Sequence, residues 1–110
     1  MNKPSYLRDI SVLALPPRVN ASNIDEVVAA MGQLGARRVV LDLGATVGVD
    51  STALGAIVKF YREQLDAGGE LALARPSEGV RRVLKVTRLE EVLVTFPSVE
   101  AASAPGAVAS

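Results

Sequence analysis

Three consecutive polar side chains are the residues of this sequence best placed to do chemistry. Asp50, Ser51 and Thr52 follow a predicted buried strand over 38–43 and begin a segment with helical periodicity. Their side-chain oxygens can accept hydrogen bonds from the free N–H groups of a first helical turn. Hydroxyls at the positive end of a helix dipole, after a strand, lie where α/β sheets usually carry functional groups. From these residues alone, helix capping is the ordinary interpretation of Ser51.

The composition excludes several kinds of chemistry. The chain has no cysteine and no histidine, so it has no disulfide, thiol nucleophile, Ser-His-Asp triad, histidine base or histidine-ligated metal. No glycine-rich loop followed by lysine is present to hold a phosphate. The adjacent carboxylates at 25–26 and 90–91 do not face one another on a helix. We therefore expect no enzyme, no catalytic residue, no cofactor and no metal site.

The charge pattern indicates which partners to expect. Twelve Lys and Arg residues balance twelve Asp and Glu residues, and the two Tyr and two Phe do not cluster with basic residues. Nucleic-acid binding is therefore not expected. No apolar run approaches the ~20 residues that span a bilayer, so we expect no membrane insertion and a cytoplasmic location. One basic run is either a solvated helix face or a surface for an acidic partner: Arg75, Arg81, Arg82, Lys85 and Arg88.

The order of predicted elements indicates an α/β fold. Strands and helices alternate, which implies a mostly parallel sheet of four to five strands covered by three to four helices. The strands are predicted over 9–15, 37–43, 70–74 and 92–96, and the helices over roughly 22–34, 52–67, 76–85 and 97–102. We expect a single domain over 1–102, with 1–8 forming a short edge strand or staying loose. The tail at 103–110 is expected to be disordered.

Apolar spacing predicts which helix faces are buried. In the central helix, five residues recur at helical spacing: Leu54, Ile57, Val58, Tyr61 and Leu65. The first and third helices carry similar stripes, which include Val28 and Val86 respectively. Ser22 is predicted to cap the first helix, with Asp25 completing a capping box.

The residues after the central strand resemble a known motif. Asp50-Ser51-Thr52-Ala53-Leu54 is similar to the Asp-Ser-Ser/Thr-Gly-Leu hallmark of the STAS domain family, the anti-sigma factor antagonists of bacteria. The resemblance runs from about Asp9 to Ala102 and includes four further segments: Gly55-Ala56-Ile57-Val58, Ala67-Gly68-Gly69, Leu71-Ala72-Leu73 and Val80-Arg81-Arg82-Val83-Leu84. It implies a STAS-type fold and a role in transcription regulation.

The resemblance also implies a mechanism. In this family an anti-sigma factor with serine kinase activity phosphorylates the serine of the motif, which is Ser51 here, with Thr52 as the second choice. The unphosphorylated form binds the anti-sigma factor, the phosphorylated form is released, and a PP2C-type phosphatase resets it. The expected partner-binding residues are Asn20, Asp50, Ser51, Thr52 and Ala53. Alanine stands at 53 where the family usually has glycine, and neutral Asn20 stands where it usually has an acidic residue.

A second class of function is open at this point. Some STAS domains are constitutive docking subunits of ABC-type lipid transport complexes or of signalling scaffolds, and these need no phosphorylation. The two departures, Ala53 and Asn20, lean slightly towards that alternative. A homodimer is left open as well.

Overall fold

The computed structural model describes residues 8–104. Four parallel strands form the main sheet in the order β1-β3-β5-β6, with bounds β1 (Arg8–Ala14), β3 (Ala36–Asp42), β5 (Glu70–Ala74) and β6 (Val94–Phe96). Two short strands, β2 (Arg18–Val19) and β4 (Gly48–Val49), pair with each other in parallel. The predicted α/β fold with a mostly parallel sheet is confirmed.

Four helices cover this sheet: α1 (Ile24–Gly32), α2 (Ser51–Asp66), α3 (Glu78–Val86) and α4 (Val99–Ser103). A 3-10 turn, Leu89–Glu91, follows α3. Because successive strand residues point to opposite faces, Val39 and Leu41 pack with α1, α2 and α3, whereas Val40 packs with α4. The sheet therefore has a three-helix face and a one-helix face, and the candidate site lies at its carboxyl edge.

Helix α4 is anchored by a buried arginine. Arg38 of β3 is 6% exposed. Its Nε donates to the carbonyl oxygen of Ala102 at 2.7 Å, and its Nη1 donates to Glu70 at 2.9 Å. The guanidinium also lies 5.8 Å from the ring centroid of Phe96. A buried charge needs such partners, and a cation at a helix carboxyl end is favourable.

The predicted burial of α2 is right for most of its stripe and wrong at the end. Leu54 and Ile57 are buried, and Val58 and Tyr61 pack against the core, but Leu65 is 48% exposed. In the last turn, Gln64 interacts with the sheet instead. Its amide donates to the carbonyl oxygens of Ala36 and Glu70 at 3.1 and 3.0 Å. An amide that bonds strand-end carbonyls cannot be found from apolar periodicity.

In α1 and α3 too, fewer residues of the predicted apolar stripe are buried than expected. Val28 is 43% exposed, and Val86, the last residue of α3, is 77% exposed. Helix α3 is otherwise as expected: Ser77 caps it by accepting from the N–H of Val80, and Val80 and Leu84 are buried. Strand β6 begins at Val94, two residues after the predicted start, because the N–H of Leu93 still bonds into the 3-10 turn.

The predicted capping of α1 by Ser22 is wrong. The helix begins at Ile24 after Asn23, and no side chain caps it. The Ser22 hydroxyl donates to Oδ1 of Asn20 at 2.5 Å, and the Ser22 N–H donates to the same oxygen at 2.9 Å. A local turn therefore takes up the hydroxyl that was expected to begin the helix.

Some of the residues predicted at the two ends of the chain lie within the described range, 8–104. Ser103, which was placed in the tail, is the last residue of α4. The rest of the predicted tail, 105–110, and residues 1–7 of the predicted edge segment lie outside the described residues.

We predict that Ile57→Ala lowers the free energy of unfolding by about 2–5 kcal/mol, because Ile57 is 3% exposed in the core. The matched control is Leu65→Ala on the same helix, which should cost less than about 0.5 kcal/mol because its side chain is largely solvated. Denaturant titration of both variants gives the comparison. Equal losses would contradict the packing described here.

Candidate functional site

Two loops at the carboxyl edge of the sheet are joined to form the base of the site. One loop follows β1 and the other precedes α2, and the β2–β4 ladder pairs Arg18 with Gly48 and Val19 with Val49. Fully buried Thr46 adds a side-chain contact, since its hydroxyl donates to the carbonyl oxygen of Pro16 at 2.9 Å. The start of α2 is therefore held against the segment that leads into α1.

Asp50 uses both oxygens of its carboxylate in this junction. Oδ1 accepts from the N–H of Ala53 at 2.9 Å, which caps α2, and Oδ2 accepts from the N–H of Ala21 at 3.2 Å. The backbone N–H of Asp50 donates to Val19 at 3.1 Å. Asp50 is thus the helix cap that the sequence indicated, and it also fixes α2 relative to the loop before α1.

The two candidate phosphoacceptors differ from Asp50 in having no structural bond. Ser51 and Thr52 are exposed, and within the described part of the chain neither hydroxyl forms a hydrogen bond. Ala53, by contrast, is 0% exposed and has an ordinary negative φ. Alanine fits this position without strain, but its side chain supports the surface from beneath and is not available for contact.

Asn20 lies beside Asp50, as the resemblance implied. Both residues line a cavity of about 320 Å³ together with Arg18 and Gly48. The backbone N–H of Asn20 donates to Oδ1 of Asn23 at 2.9 Å, and Oδ1 of Asn20 accepts the two bonds from Ser22. The Asn20 side-chain oxygen therefore shapes the loop, and it does so without adding a second negative charge near Asp50.

Two grooves run along adjacent faces of α2, and Lys59 lines both of them. The first, called the α2–α3 groove, lies between α2 and the residues that directly follow α3 and has a volume of about 410 Å³. It begins at Ser51 and is also lined by Leu54, Gly55, Val58, Lys59, Arg62, Thr87 and Leu89. The α1–α2 groove, about 360 Å³, begins at Thr52 and is lined by residues that include Ile24, Asp25, Val28, Ala56, Lys59 and Glu63. Neighbouring hydroxyls therefore open onto different surfaces, because consecutive helix residues point about 100° apart.

An ion pair lies at the same edge of the sheet, between the ends of β3 and β5. Arg75 donates to both oxygens of Asp42, with Nε at 2.9 Å and Nη2 at 2.8 Å. The N–H of Gly44 also donates to Asp42 at 2.9 Å, and a side chain at Gly44 would overlap the guanidinium. The hydrogen bonds from Arg75 are the main reason that the pKa of Asp42 lies below its usual value.

The basic run seen in the sequence is divided by the structure. Arg75 pairs with Asp42, and Arg88 pairs with Glu91 at 2.9 Å. Arg81, Arg82 and Lys85 are exposed on α3 and form no ion pair within residues 8–104. Two of the five cations are thus neutralised locally, and the other three form a solvated helix face.

Within residues 8–104, no group of acidic side chains is arranged to hold a metal ion. Across the same range, no helix combines the length and the apolar character needed to cross a membrane.

Comparison with known proteins now identifies the family. The STAS domain family is matched over residues 8–102, so the chain belongs to it. A Thermotoga neapolitana protein, named as a homologue of the anti-sigma factor antagonist TM1081, is 32% identical over 68 residues, which cover 62% of this chain and 60% of that protein. The Bordetella bronchiseptica protein BtrV, also named as an anti-sigma factor antagonist, is 32% identical over 77% of this chain and 73% of its own length.

Solved structures show the same fold. The crystal structure of TM1081 from Thermotoga maritima has a TM-score of 0.76 at 26% identity, and the match covers 89% of this chain and 87% of that one. Unphosphorylated SpoIIAA, another anti-sigma factor antagonist, has a TM-score of 0.71 at 21% identity, with 86% and 85% covered. Phosphorylated Bacillus SpoIIAA has a TM-score of 0.64 at 20% identity, with 86% and 88% covered.

Several features of the site were not predicted from the sequence. The β2–β4 ladder and the Ala21–Asp50 bond join segments about 30 residues apart, and two-residue strands leave no periodic signal. The α2–α3 groove did have a signal. Ser51, Gly55, Lys59 and Arg62 stand at i, i+4, i+8 and i+11, which is one face of a helix.

We predict that Asp50→Ala lowers the free energy of unfolding by about 1–2 kcal/mol, because it removes the cap of α2. Ser51→Ala is the matched control, since the neighbouring hydroxyl makes no capping bond, and it should change the free energy by less than about 0.5 kcal/mol. Denaturant titrations measure both values. A larger loss for Ser51→Ala would show that Ser51 has a structural role.

We predict a pH-dependent contribution from Asp42, because the folded state lowers its pKa. Stability from the pair should be fully present above the unfolded pKa of about 4 and should be lost as pH falls through the lower folded pKa. Asp42→Asn keeps an acceptor for Gly44 but removes the charge. The difference in unfolding free energy between wild type and this variant should shrink between pH 6 and pH 2, and a constant difference would contradict the assignment.

Proposed function

We propose that this protein is an anti-sigma factor antagonist that switches partners through phosphorylation of Ser51. The observation that carries the proposal is the separation of roles at the start of α2. Asp50 makes the structural bonds, while the exposed Ser51 hydroxyl has no hydrogen bond in the described chain. Ser51 can therefore be modified without breaking any contact that holds the fold.

The named relatives support the general function. BtrV and the Thermotoga proteins are named as anti-sigma factor antagonists, and SpoIIAA has a phosphorylated form. By analogy, the unphosphorylated protein binds an anti-sigma factor with serine kinase activity. The phosphorylated protein is released, and a PP2C-type phosphatase returns it to the binding form. A regulator of sigma factors acts where transcription occurs, which places the proposed activity in the cytoplasm.

Electrostatics favours Ser51 over Thr52 as the phosphoacceptor. A phosphate adds roughly −1.5 to −2 charges at neutral pH. On Thr52 it would enter the α1–α2 groove, where the negative charges of Asp25 and Glu63 outnumber the positive charge of Lys59. On Ser51 it would enter the α2–α3 groove, whose charged lining residues are Lys59 and Arg62. The first turn of α2 also supplies free N–H groups that tolerate an anion.

The proposed partner surface is the exposed part of the junction. Asn20, Asp50, Ser51 and Thr52 lie at one edge of the molecule and are at least partly accessible. Ala53 is omitted from the contact residues because it is fully buried. This surface carries one formal charge, that of Asp50, so a phosphate on Ser51 would change its electrostatics substantially. No catalytic role is proposed, since the junction offers no histidine, cysteine or metal-binding cluster.

We predict that Ser51→Asp weakens binding to the anti-sigma factor by more than about a hundredfold, which corresponds to roughly 3 kcal/mol. The added carboxylate would meet the partner's surface next to Asp50, while the helix dipole keeps the fold stable. Ser51→Ala is the control. It should bind like wild type and should not be phosphorylated by the kinase.

The measurement is a binding titration with purified anti-sigma factor from the same genome, combined with thermal melting of each variant. Tight binding by Ser51→Asp, together with no kinase modification of Ser51 or Thr52, would contradict the switch. The constitutive docking subunit would then be the better account.

A further inference from the structure

The α2–α3 groove contains two cations that the fold does not use. Lys59 and Arg62 line it, and neither forms an ion pair or hydrogen bond within the described residues. No acidic side chain lines the groove. The adjacent α1–α2 groove contains both Asp25 and Glu63, and it shares Lys59 with the α2–α3 groove. The α2–α3 groove is therefore lined by two cations and no carboxylate, whereas two carboxylates outnumber Lys59 in the α1–α2 groove.

Because Gly55 has no side chain, it leaves the backbone of α2 uncovered in the middle of this groove. It lies one turn after Ser51, and a side-chain carbon added there would meet no atom within 4 Å. The fold therefore does not require glycine at 55, although glycine lowers helix stability relative to alanine. A bare helix surface at this point lets another chain approach the α2 backbone closely.

The remaining lining is mostly apolar. Leu54, Val58 and Leu89 contribute to a cavity of about 410 Å³, a size that accommodates a few side chains of a partner. Val86, the neighbour of the lining residue Thr87, is 77% exposed. An apolar floor with cations at one end matches an amphipathic segment that carries carboxylates.

We propose that the α2–α3 groove binds an acidic amphipathic segment of the anti-sigma factor. Carboxylates of this segment pair with Lys59 and Arg62, and its apolar side chains lie over Gly55 and Val58, so that the segment ends beside Ser51. The inference rests on the proposed function and names the part of the partner that the switch acts on. A phosphate on Ser51 has the same sign as the segment and repels it.

The test is a binding titration of purified anti-sigma factor against wild type and two charge-reversal variants. Lys59→Glu/Arg62→Glu alters the groove, and Arg81→Glu/Arg82→Glu changes the net charge equally on the solvated face of α3. The groove variant should lose about tenfold or more in affinity at low salt, and the control should lose less than about threefold. Raising the salt concentration should reduce the gap between them.

A steric variant tests the same surface without changing charge. Residue 55 is exposed and an added Cβ there would meet no atom within 4 Å, so Gly55→Leu should melt at or above the wild-type temperature. It should bind the anti-sigma factor at least about tenfold more weakly. Wild-type affinity of this variant would overturn the proposal. Melting curves of the charge variants check that each is folded.

Crosslinking identifies the occupant of the groove. A photoreactive benzoylphenylalanine at Val58 should capture a peptide of the anti-sigma factor that contains at least two Asp or Glu residues. The same probe at Val12, on the opposite face of the sheet, should capture none. Capture of a second copy of this chain, or of a peptide without acidic residues, would overturn the proposal.

The failures of the two proposals are distinguishable. If wild type binds and Ser51→Asp binds weakly, but the groove variant matches the Arg81→Glu/Arg82→Glu control, only the groove assignment is wrong. If wild type does not bind the anti-sigma factor, both the proposed function and this inference fail.

Discussion

The carboxylate of Asp50 is the contact on which the site depends. Its two oxygens accept N–H groups from two different loops, one at the start of α2 and one before α1. A charged acceptor gives stronger hydrogen bonds than a neutral one and also complements the helix dipole. The directions of the Ser51 and Thr52 side chains follow from this fixed start. So does the position at which each groove opens beside α2.

Because Asp50 holds the helix, the residues around it are free for other roles. The Ser51 hydroxyl forms no hydrogen bond within the described residues. The fold also does not require glycine at 55, because a Cβ there would meet no atom within 4 Å. In an α/β domain the strands and helices supply stability, while the loops at the carboxyl edge carry the functional groups. A charge added to Ser51 would therefore break none of the hydrogen bonds that hold the start of α2. This separation is what a switch requires, since the protein must stay folded in both states.

The sequence predicted the parts of this structure that depend on local pattern. Alternating strands and helices predicted the parallel sheet, and the capping chemistry of Asp50 predicted the start of α2. Prediction from the sequence was wrong where a different contact replaces the expected one, a local turn at Ser22 and a tertiary contact at Gln64. Ser22 was expected to cap a helix but bonds to Asn20, and Leu65 was expected in the core but Gln64 takes the contact with the sheet.

The candidate site shows the same division between local and long-range information. The hydroxyls were found from their position after a strand, whereas the Ala21–Asp50 bond joins residues 29 positions apart and leaves no pattern in the chain. The buried side chain of Ala53 is a further example. Its place in the motif indicated a contact residue, but only the packing of α2 on the core shows that it faces inward.

Ser51 and Thr52 are adjacent in sequence but open onto grooves with different charges. The choice between them as phosphoacceptor therefore matters for the proposed switch. A phosphate on Ser51 would add roughly −1.5 to −2 charges at one end of a groove whose lining includes two cations. Lys59 lies eight residues further, which is about 12 Å along the helix and longer than the Debye length of about 8 Å at physiological salt. The phosphate and Lys59 therefore do not simply pair with each other. In the proposed complex, a partner segment that spans the groove would meet both charges at once, so repulsion at Ser51 would offset the attraction at Lys59 and Arg62.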